Sequence, residues 1–402
     1  MGALSHLRVL DLSRVLAGPW CSQNLADLGA HVIKVERTLN GDDTRGWGPP
    51  FLKDTNGNDT KEAAYYLCAN RGKQSVTIDF TRPEGQALLH ELVKQCDVVL
   101  ENFKVGGLKK YQLDYDSIKA IKPDIVYCSI TGFGQSGPYA ERAGYDFMIQ
   151  GLGGLMSITG DPDGEPQKVG VAVTDLFTGM YATTAILAAL NHRQVTGVGQ
   201  HIDIALLDCQ LAMLANVASN HLVGGMKPPR LGNAHANIVP YQVFEVADGH
   251  IIVAVGNDTQ FARFAALCGH AEWANDERFA ANKNRVKNRQ ILVPMIAEAM
   301  KLRNRDEWLQ MLEVETIPCG PINSIPQAFE DPHVQYRQIK VNVPHPSAGN
   351  VPLVANPIRL SETPIEYNVA PPTLGQHTQE VLSDIAGLTE EQLAELAGKG
   401  VI

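Results

Sequence analysis

The sequence predicts an α/β protein with a Rossmann-like large domain on a parallel sheet and a smaller α+β domain after it. Three observations carry this. Leu7–Leu12 and His31–Glu36 are short apolar runs separated by a Gly-Pro turn and a helical stretch, Cys21–Leu28. Strand, helix, strand within about 30 residues is a βαβ unit, the start of a parallel sheet. The alternation continues through Ser75–Asp79, Asp97–Asn102 and Asp124–Ile130. Beyond Gly224 the pattern changes, and Tyr241–Val246 and His250–Val255 flank an Asp-Gly turn, a hairpin signal.

The chain has 402 residues, enough for a large core and two domains. The expected division is 1–224, 225–325 and a return segment, 326–402, that packs on the large domain or on a partner subunit. Hydrophobic content of 44% and charged content of 19% are ordinary for a globular protein. A net charge of −10 argues against a nucleic-acid or anionic-membrane surface. A polyanionic ligand would need local basic clusters. The seven cysteines are scattered and none forms a CxxC pair, so neither a disulfide framework nor a metal site of the zinc type is expected. Reduced thiols of a cytoplasmic protein are the simpler reading. The N-terminus lacks a signal-peptide pattern, and no apolar run approaches the roughly 18 residues of a membrane span. No G-x-G-x-x-G opens the first helix, which argues against a nicotinamide cofactor.

Pro19 suits the first turn of the first helix. Residues 38–64 are polar and glycine-rich and read as a long surface loop, either functional or a plain insertion. In Asn70-Arg-Gly-Lys73, Arg71 and Lys73 form a small basic cluster ahead of one strand. Lys104, Lys109 and Lys110 follow another. Loops after parallel strands are where such folds bind ligands, though solvated surface is the plainer reading of both clusters. Thr131–Pro138 is a glycine-rich loop whose backbone can approach a ligand closely. Helices are expected at 258–267, 288–302, 305–314 and 379–386, and Thr389–Gln392 is a capping box.

One carboxylate stands out. In Val169–Gly179, Asp175 sits where an apolar run meets a long apolar helix. At or near the N-cap it can accept from free backbone N–H groups, and the helix dipole there favours its charged form. Such a residue either caps the helix or serves as an acyl-accepting nucleophile. Local pattern alone favours the cap.

Taken together, these pieces resemble the class III CoA-transferases, the CaiB–BaiF family. The matching segments are Val9–Leu12 with Leu16–Pro19, Leu28–Arg37, Asn70–Lys73, Glu101–Phe103, Ser129–Pro138, Gly144–Asp146, the Asp175 segment, Gly199–Asp203 and Leu374–Thr378. No piece is decisive, but their order and spacing are specific. The resemblance implies that Asp175 is the nucleophile, passing through an aspartyl anhydride and an aspartyl-CoA thioester. It implies coenzyme A as part of substrate and product, contacted by Arg37, Asn70, Arg71, Lys73 and Asn102, with Lys110 a weaker candidate. Val15 and Leu16 match the turn beside the thioester, and Leu16 replaces a glutamine found in some members. Backbone N–H groups of the glycine loops would stabilise oxyanions. An interlocked homodimer is implied as well.

The same family holds 2-methylacyl-CoA racemases, which place a histidine before an aspartate. Here the segment reads Gly144-Tyr145-Asp146, and tyrosine, with a reference pKa of about 10, is a poor exchange base. Transfer is therefore favoured over racemisation. Asp146 is a candidate helper carboxylate or a structural cap. The run of glycines carried by formyl-CoA:oxalate transferases is absent from 225–260. Arg230–Gln242 instead resembles members that move CoA from succinyl-CoA to a dicarboxylate such as glutarate. Arg230 or His235 would supply a cation for the second carboxylate, or serve only the loop. Carnitine-type acceptors are disfavoured.

Overall fold

In the computed structural model, which describes residues 2–402, the first eight strands are β1 Arg8–Asp11, β2 His31–Glu36, β3 Phe51–Lys53, β4 Asp59–Ala63, β5 Lys73–Thr77, β6 Val98–Glu101, β7 Val126–Thr131 and β8 His201–Ala205. Six of them form a wholly parallel sheet in the order β5-β2-β1-β6-β7-β8. The chain runs outward from β1 to β5, crosses back to β6, and runs outward again to β8. Strand order thus reverses between β1 and β6, and the crevice at the carboxyl ends there is where open α/β sheets bind ligands. β1, β6 and β7 are buried along nearly their whole length, which is why they read as unbroken apolar runs rather than alternating ones.

Each face of this sheet has its own core. On one face the helices Pro83–Lys94, Tyr115–Ile121, Thr378–Asp384 and Glu390–Gly398 pack over Ile33, Val99 and Tyr127. On the other, Ala17–Asp27 and Val173–Thr196 pack over Val98, Leu100 and Cys128. These two helices touch at Gly179, where a Cβ would lie 2.7 Å from the Ala17 carbonyl oxygen. By length and composition alone the Val173–Thr196 helix could cross a membrane, which corrects the expectation that no stretch comes close. Its Thr174, Thr178 and Thr183 are buried against protein, as in a core helix.

The chain divides into two compact units, Met1–Gly153 with Gly170–Met213 and Pro332–Ile402, and Gly154–Val169 with Leu214–Asp331. The second unit therefore takes 154–169 and 214–224, which composition had assigned to the first. Its strands β9 Tyr241–Val246, β10 Gly249–Ala254 and β11 Cys319–Pro321 form an antiparallel sheet. Helices Asp258–Leu267, Arg289–Met300 and Arg305–Val314 cover it around Phe261, Phe264 and Trp308.

Residues 38–64 are not a plain loop. β3 and β4 pair as a hairpin, and Asp42, Thr44, Arg45 and Glu62 are buried. Arg45 donates to Glu36 at 2.7 and 2.8 Å, to the Tyr66 hydroxyl at 2.6 Å and to Glu62. Part of its charge, on Asp42, Arg45 and Glu62, is neutralised inside the protein, while Lys53, Asp59 and Lys61 face solvent. The C-terminal segment adds the hairpin β12 Lys340–His345 and β13 Gly349–Val354. It then runs along the open edge of β5: Ser75 N–H donates to His377 Nδ1 at 3.1 Å, and Thr77 N–H to Thr378 Oγ1 at 3.0 Å. Covering an edge in this way removes a template for unwanted strand pairing.

Beneath the β1 end lies a cluster of fully buried charges. Lys73 Nζ donates to the Pro19 carbonyl at 3.0 Å and Asn70 Oδ1 at 2.9 Å, and lies 3.4 Å from Asp11. Lys34 Nζ donates to the Ser13 carbonyl at 3.0 Å and to Asp42 at 2.9 Å. Burial opposes the charge on Asp11, but Lys73, Lys34 and the Ser13 and Ser22 hydroxyls together offset it and leave its pKa below the usual range. Removing one partner of a buried pair strands the other charge. Lys73→Met should therefore cost about 3–5 kcal/mol, read by chemical denaturation; a loss under about 1 kcal/mol would show that the pair is not essential.

Candidate active site

At the switch point a cavity of about 180 Å³ opens among the loops that follow β1, β6 and β7, and Asp175 lines it. The β1 loop supplies Val15 and Leu16, the β6 loop Asn102–Val105, and the β7 loop Thr131 and Gly132. Val15 has φ +72°, a left-handed conformation that is strained for a β-branched residue. Two contacts hold it there. Its N–H faces the Asp42 carboxylate at 3.3 Å, and next to it Asn102 clamps the Arg14 backbone, accepting from Arg14 N–H at 2.9 Å and donating to its carbonyl at 2.7 Å. Across the cavity, a Cβ on Gly132 would lie 2.6 Å from Gly144 Cα. Only two facing glycines let the 140–145 segment lie this close to the β7 end, and that brings Arg142 and Tyr145 to the cavity wall.

Asp175 is the third residue of the Val173–Thr196 helix, whose N-cap is Ala172. The cap function has passed to Asp146. Its Oδ1 accepts from Thr174 N–H at 2.8 Å and faces Asp175 N–H at 3.3 Å, while Oδ2 accepts from Gln150 at 2.7 Å. Asp175 is thus relieved of capping. Among the described residues, its carboxylate has no hydrogen-bond partner. Burial and then the neighbouring Asp146 push its pKa up to about 7. This corrects the expectation that the dipole would dominate: desolvation and a like charge both disfavour the anion.

A carboxylate with its pKa near neutrality, facing a cavity, is suited to nucleophilic or proton-transfer work. If it must be ionised to act, kcat/KM should rise with pH through about 7, reporting the free enzyme. Asp146→Asn keeps the oxygen acceptor and removes the charge. It should move that rising limb to lower pH, whereas an unmoved limb would make Asp146 a cap alone. Asp146→Ala should cost about 1 kcal/mol of stability for the lost cap.

The structure thus brings Val15, Leu16, Asn102 and Asp175 to one cavity, with Asp146 acting from beneath. It gives the Asn70 cluster another task. Asn70 and Lys73 are wholly buried, and Arg71 makes a paired contact to Asp27 at 2.7 and 2.8 Å. As contacts for a ligand from solvent they are corrected: these side chains are consumed inside the fold. Arg37 is half exposed and pairs with Asp43. Lys110 is exposed over the Tyr111 ring. Arg230 donates to the Asp161 and Gly164 carbonyls at 3.1 and 2.7 Å, and His235 Nδ1 accepts from Asn237 N–H at 3.0 Å. Both are occupied within the second unit. The β7 loop amides are occupied too, Gly134 N–H by Thr131 Oγ1 and Gln135 N–H by Asp203, each at 2.9 Å. That removes these two as oxyanion donors.

Other residues were not singled out by the sequence. Arg142 lines the cavity with its guanidinium 4.4 Å from the Tyr139 ring centroid, and no carboxylate pairs with it among the described residues. Tyr65 lies close enough to both carboxylates that burial, then Asp175, push its phenol up to about 12. Trp47 meets Tyr65 edge-on at 5.2 Å. All three lie in loops or short elements without a local signal.

Doubly wound topology, a strained turn at the switch point and, among the described residues, an unpartnered carboxylate facing the cavity define an α/β protein with an acidic candidate site. Comparison with known proteins gives the family. The chain belongs to CoA-transferase family III, whose pattern matches residues 4–378. It is 51% identical over 382 residues, 95% of each chain, to a succinate–glutarate CoA-transferase of Agrobacterium fabrum. It is 41% identical over 399 residues to the human succinyl-CoA:glutarate CoA-transferase, covering 99% of this chain and 90% of that one. A crystal structure of a CaiB/BaiF family protein from Brucella suis superposes with a TM-score of 0.83 at 51% identity, covering 96% and 99% of the two chains.

Proposed function

We propose that this CoA-transferase moves CoA from succinyl-CoA to a dicarboxylate of the glutarate class, with Asp175 as the covalent relay. The observation that carries the reading is the unpartnered Asp175 carboxylate at the switch-point cavity. The names of the relatives support the choice of acids.

In the proposed cycle an Asp175 oxygen attacks the thioester carbonyl. The C–S bond breaks, CoA thiolate leaves, and an acyl-aspartyl anhydride forms. The thiolate then attacks the aspartyl carbonyl, releasing the donor acid and leaving an aspartyl-CoA thioester. The acceptor acid reverses the two steps. Dividing the exchange in this way replaces one hard displacement with easier ones. A raised pKa makes Asp175 both a better nucleophile than an ordinary carboxylate and a poorer leaving group. The anhydride must therefore be kept from water, and a cavity of about 180 Å³ accommodates an acyl group, not the whole of CoA. The exposed cations Arg37, Lys104, Lys109 and Lys110 at the carboxyl ends of β2 and β6 supply charge for CoA phosphates.

Because donor and acceptor acyl groups pass over the same carboxylate, one cation serves the far carboxylate of both. Arg142 takes that role in place of Arg230 and His235, since it lines the Asp175 cavity and carries no competing carboxylate. The test supplies succinyl-CoA with glutarate, oxalate, malate, itaconate, carnitine, acetate and valerate, reading new acyl-CoA by mass spectrometry. Glutaryl-CoA should dominate, and Asp175→Ala should abolish it. Arg142→Gln should cost glutarate about 10–100-fold in kcat/KM, as for a lost charged hydrogen bond, and spare valerate. Product that survives Asp175→Ala would sink the mechanism. Equal losses for glutarate and valerate would remove Arg142 from carboxylate recognition.

The protein acts as a homodimer in this reading, interlocked as the family resemblance implies. The packed helices Asp146–Leu152, Val173–Thr196 and Leu206–Met213 leave Phe147, Leu152, Phe177, Tyr181 and Leu211 each 39–60% exposed. Apolar surface of this kind marks an interaction site. Light scattering should give twice the 43.7 kDa chain mass; a monomer would end this part of the proposal. Seven unpaired thiols support a reducing, cytoplasmic setting.

A further inference from the structure

Behind the Asn102–Val105 wall lies a second cavity, of about 220 Å³, that shares Lys104 and Val105 with the Asp175 cavity. Glu101 and Ser129 line it, with residue exposures of 5% and 2%. Glu101 accepts a 2.7 Å hydrogen bond from Phe103 N–H, and the Ser129 hydroxyl beside it favours the ionised carboxylate. Ser129 Oγ lies 2.9 Å from His201 Nε2, and the imidazole stacks on Tyr115 at 4.8 Å. With a proton on Nε2, His201 donates to Ser129, which leaves the Ser129 hydroxyl proton free to turn towards Glu101. Among the described residues no cation pairs with Glu101. An unpaired buried carboxyl is costly to maintain and calls for an explanation.

The Phe103 amide supplies one. It follows Asn102, the residue that clamps the strained β1 turn through the Arg14 backbone. We propose that Glu101 is a positioning residue: its carboxylate holds the Phe103 amide, and so the Asn102–Val105 wall of the active site, while the His201–Ser129 chain supports its ionised form. This rests on the reading that CoA lies along that wall.

Burial pushes the Glu101 pKa up to about 7, against the opposing pull of Ser129 and the Phe103 amide. His201 is held below its usual range, first by burial, which favours the neutral ring. The other ionisable groups facing the cavity are Lys104 and Lys109 on the loop, Asp114, Tyr115 and Asp116 at the Tyr115–Ile121 helix, and Tyr127 on β7. The wall should therefore be firm above about pH 7 and loosen below it, separately from the titration of Asp175.

The experiment measures binding of free CoA, which requires no turnover, by calorimetry at closely spaced pH values from about pH 6 to about pH 8. Wild type, Glu101→Gln and His201→Gln are compared. Glu101→Gln mimics the neutral acid, and it should bind CoA about 10-fold more weakly at the higher pH, the worth of a hydrogen bond to a charged group. At the lower pH the gap should close. His201→Gln should move the midpoint of the wild-type pH dependence upward. The phosphates of CoA titrate alike in every sample, so they cancel in the differences. Equal binding by Glu101→Gln and wild type at the higher pH would overturn the proposal, as would a gap that does not change with pH, the mark of a merely structural role. If Glu101→Gln does not fold, an unmoved midpoint in His201→Gln has the same force. Wild type that binds no CoA would instead sink the functional reading on which the proposal stands.

Discussion

The site depends on a cluster of charges that no solvent reaches. Asp11, Lys34, Asp42 and Lys73 converge around the end of β1, the middle of β2 and the start of β5, and each satisfies part of another. Their geometry shapes the Ser13–Leu16 turn. Asp11 accepts from Ser13 N–H at 2.9 Å, Lys34 donates to the Ser13 carbonyl, and Asp42 faces the Val15 amide. A left-handed valine persists only where the surroundings over-determine it. The buried ions do this, and the turn they hold forms one wall of the Asp175 cavity. Such ions contribute more to specifying a geometry than to net stability.

A second division of labour sits across the cavity. A helix N-terminus has unsatisfied amides, and an acidic side chain nearby normally meets them. Here Asp146 does so from a different helix, leaving the Asp175 carboxylate on the same turn without a partner among the described residues. Burial keeps Asp175 reluctant to ionise, and the cap adds to it as a like charge. One carboxylate thereby completes the backbone and tunes its neighbour. A buried carboxylate held uncompensated is a local cost in stability, of the kind that active sites carry.

Much of the parallel sheet was legible because buried strands announce themselves as apolar runs and the helices between them as amphipathic ones. The Tyr241–Ala254 hairpin was legible from its Asp-Gly turn. Asp175 was legible by its place at the start of an apolar helix, although pattern alone could not separate a cap from a nucleophile. Residues 38–64 and the Asn70–Lys73 cluster misled for one reason. Charge on a sequence suggests solvent, and only pairing across the fold, such as Arg45 with Glu36 and Glu62 or Arg71 with Asp27, shows otherwise. Arg142 and Tyr65 gave no signal, because each becomes a site residue through where a loop lies.

The sequence by itself determined the class of fold, the order of its elements, and the position of one carboxylate at a helix start. These follow from local periodicity and chain direction. Tertiary structure decided which charges are interior and which face the cavity. It also decided that Asp146 rather than Asp175 carries the helix amides, and that the pKa of Asp175 rises instead of falling. Those outcomes depend on desolvation and on distances between groups far apart in sequence, such as the 28 residues that separate Asp146 from Thr174. No local pattern encodes them.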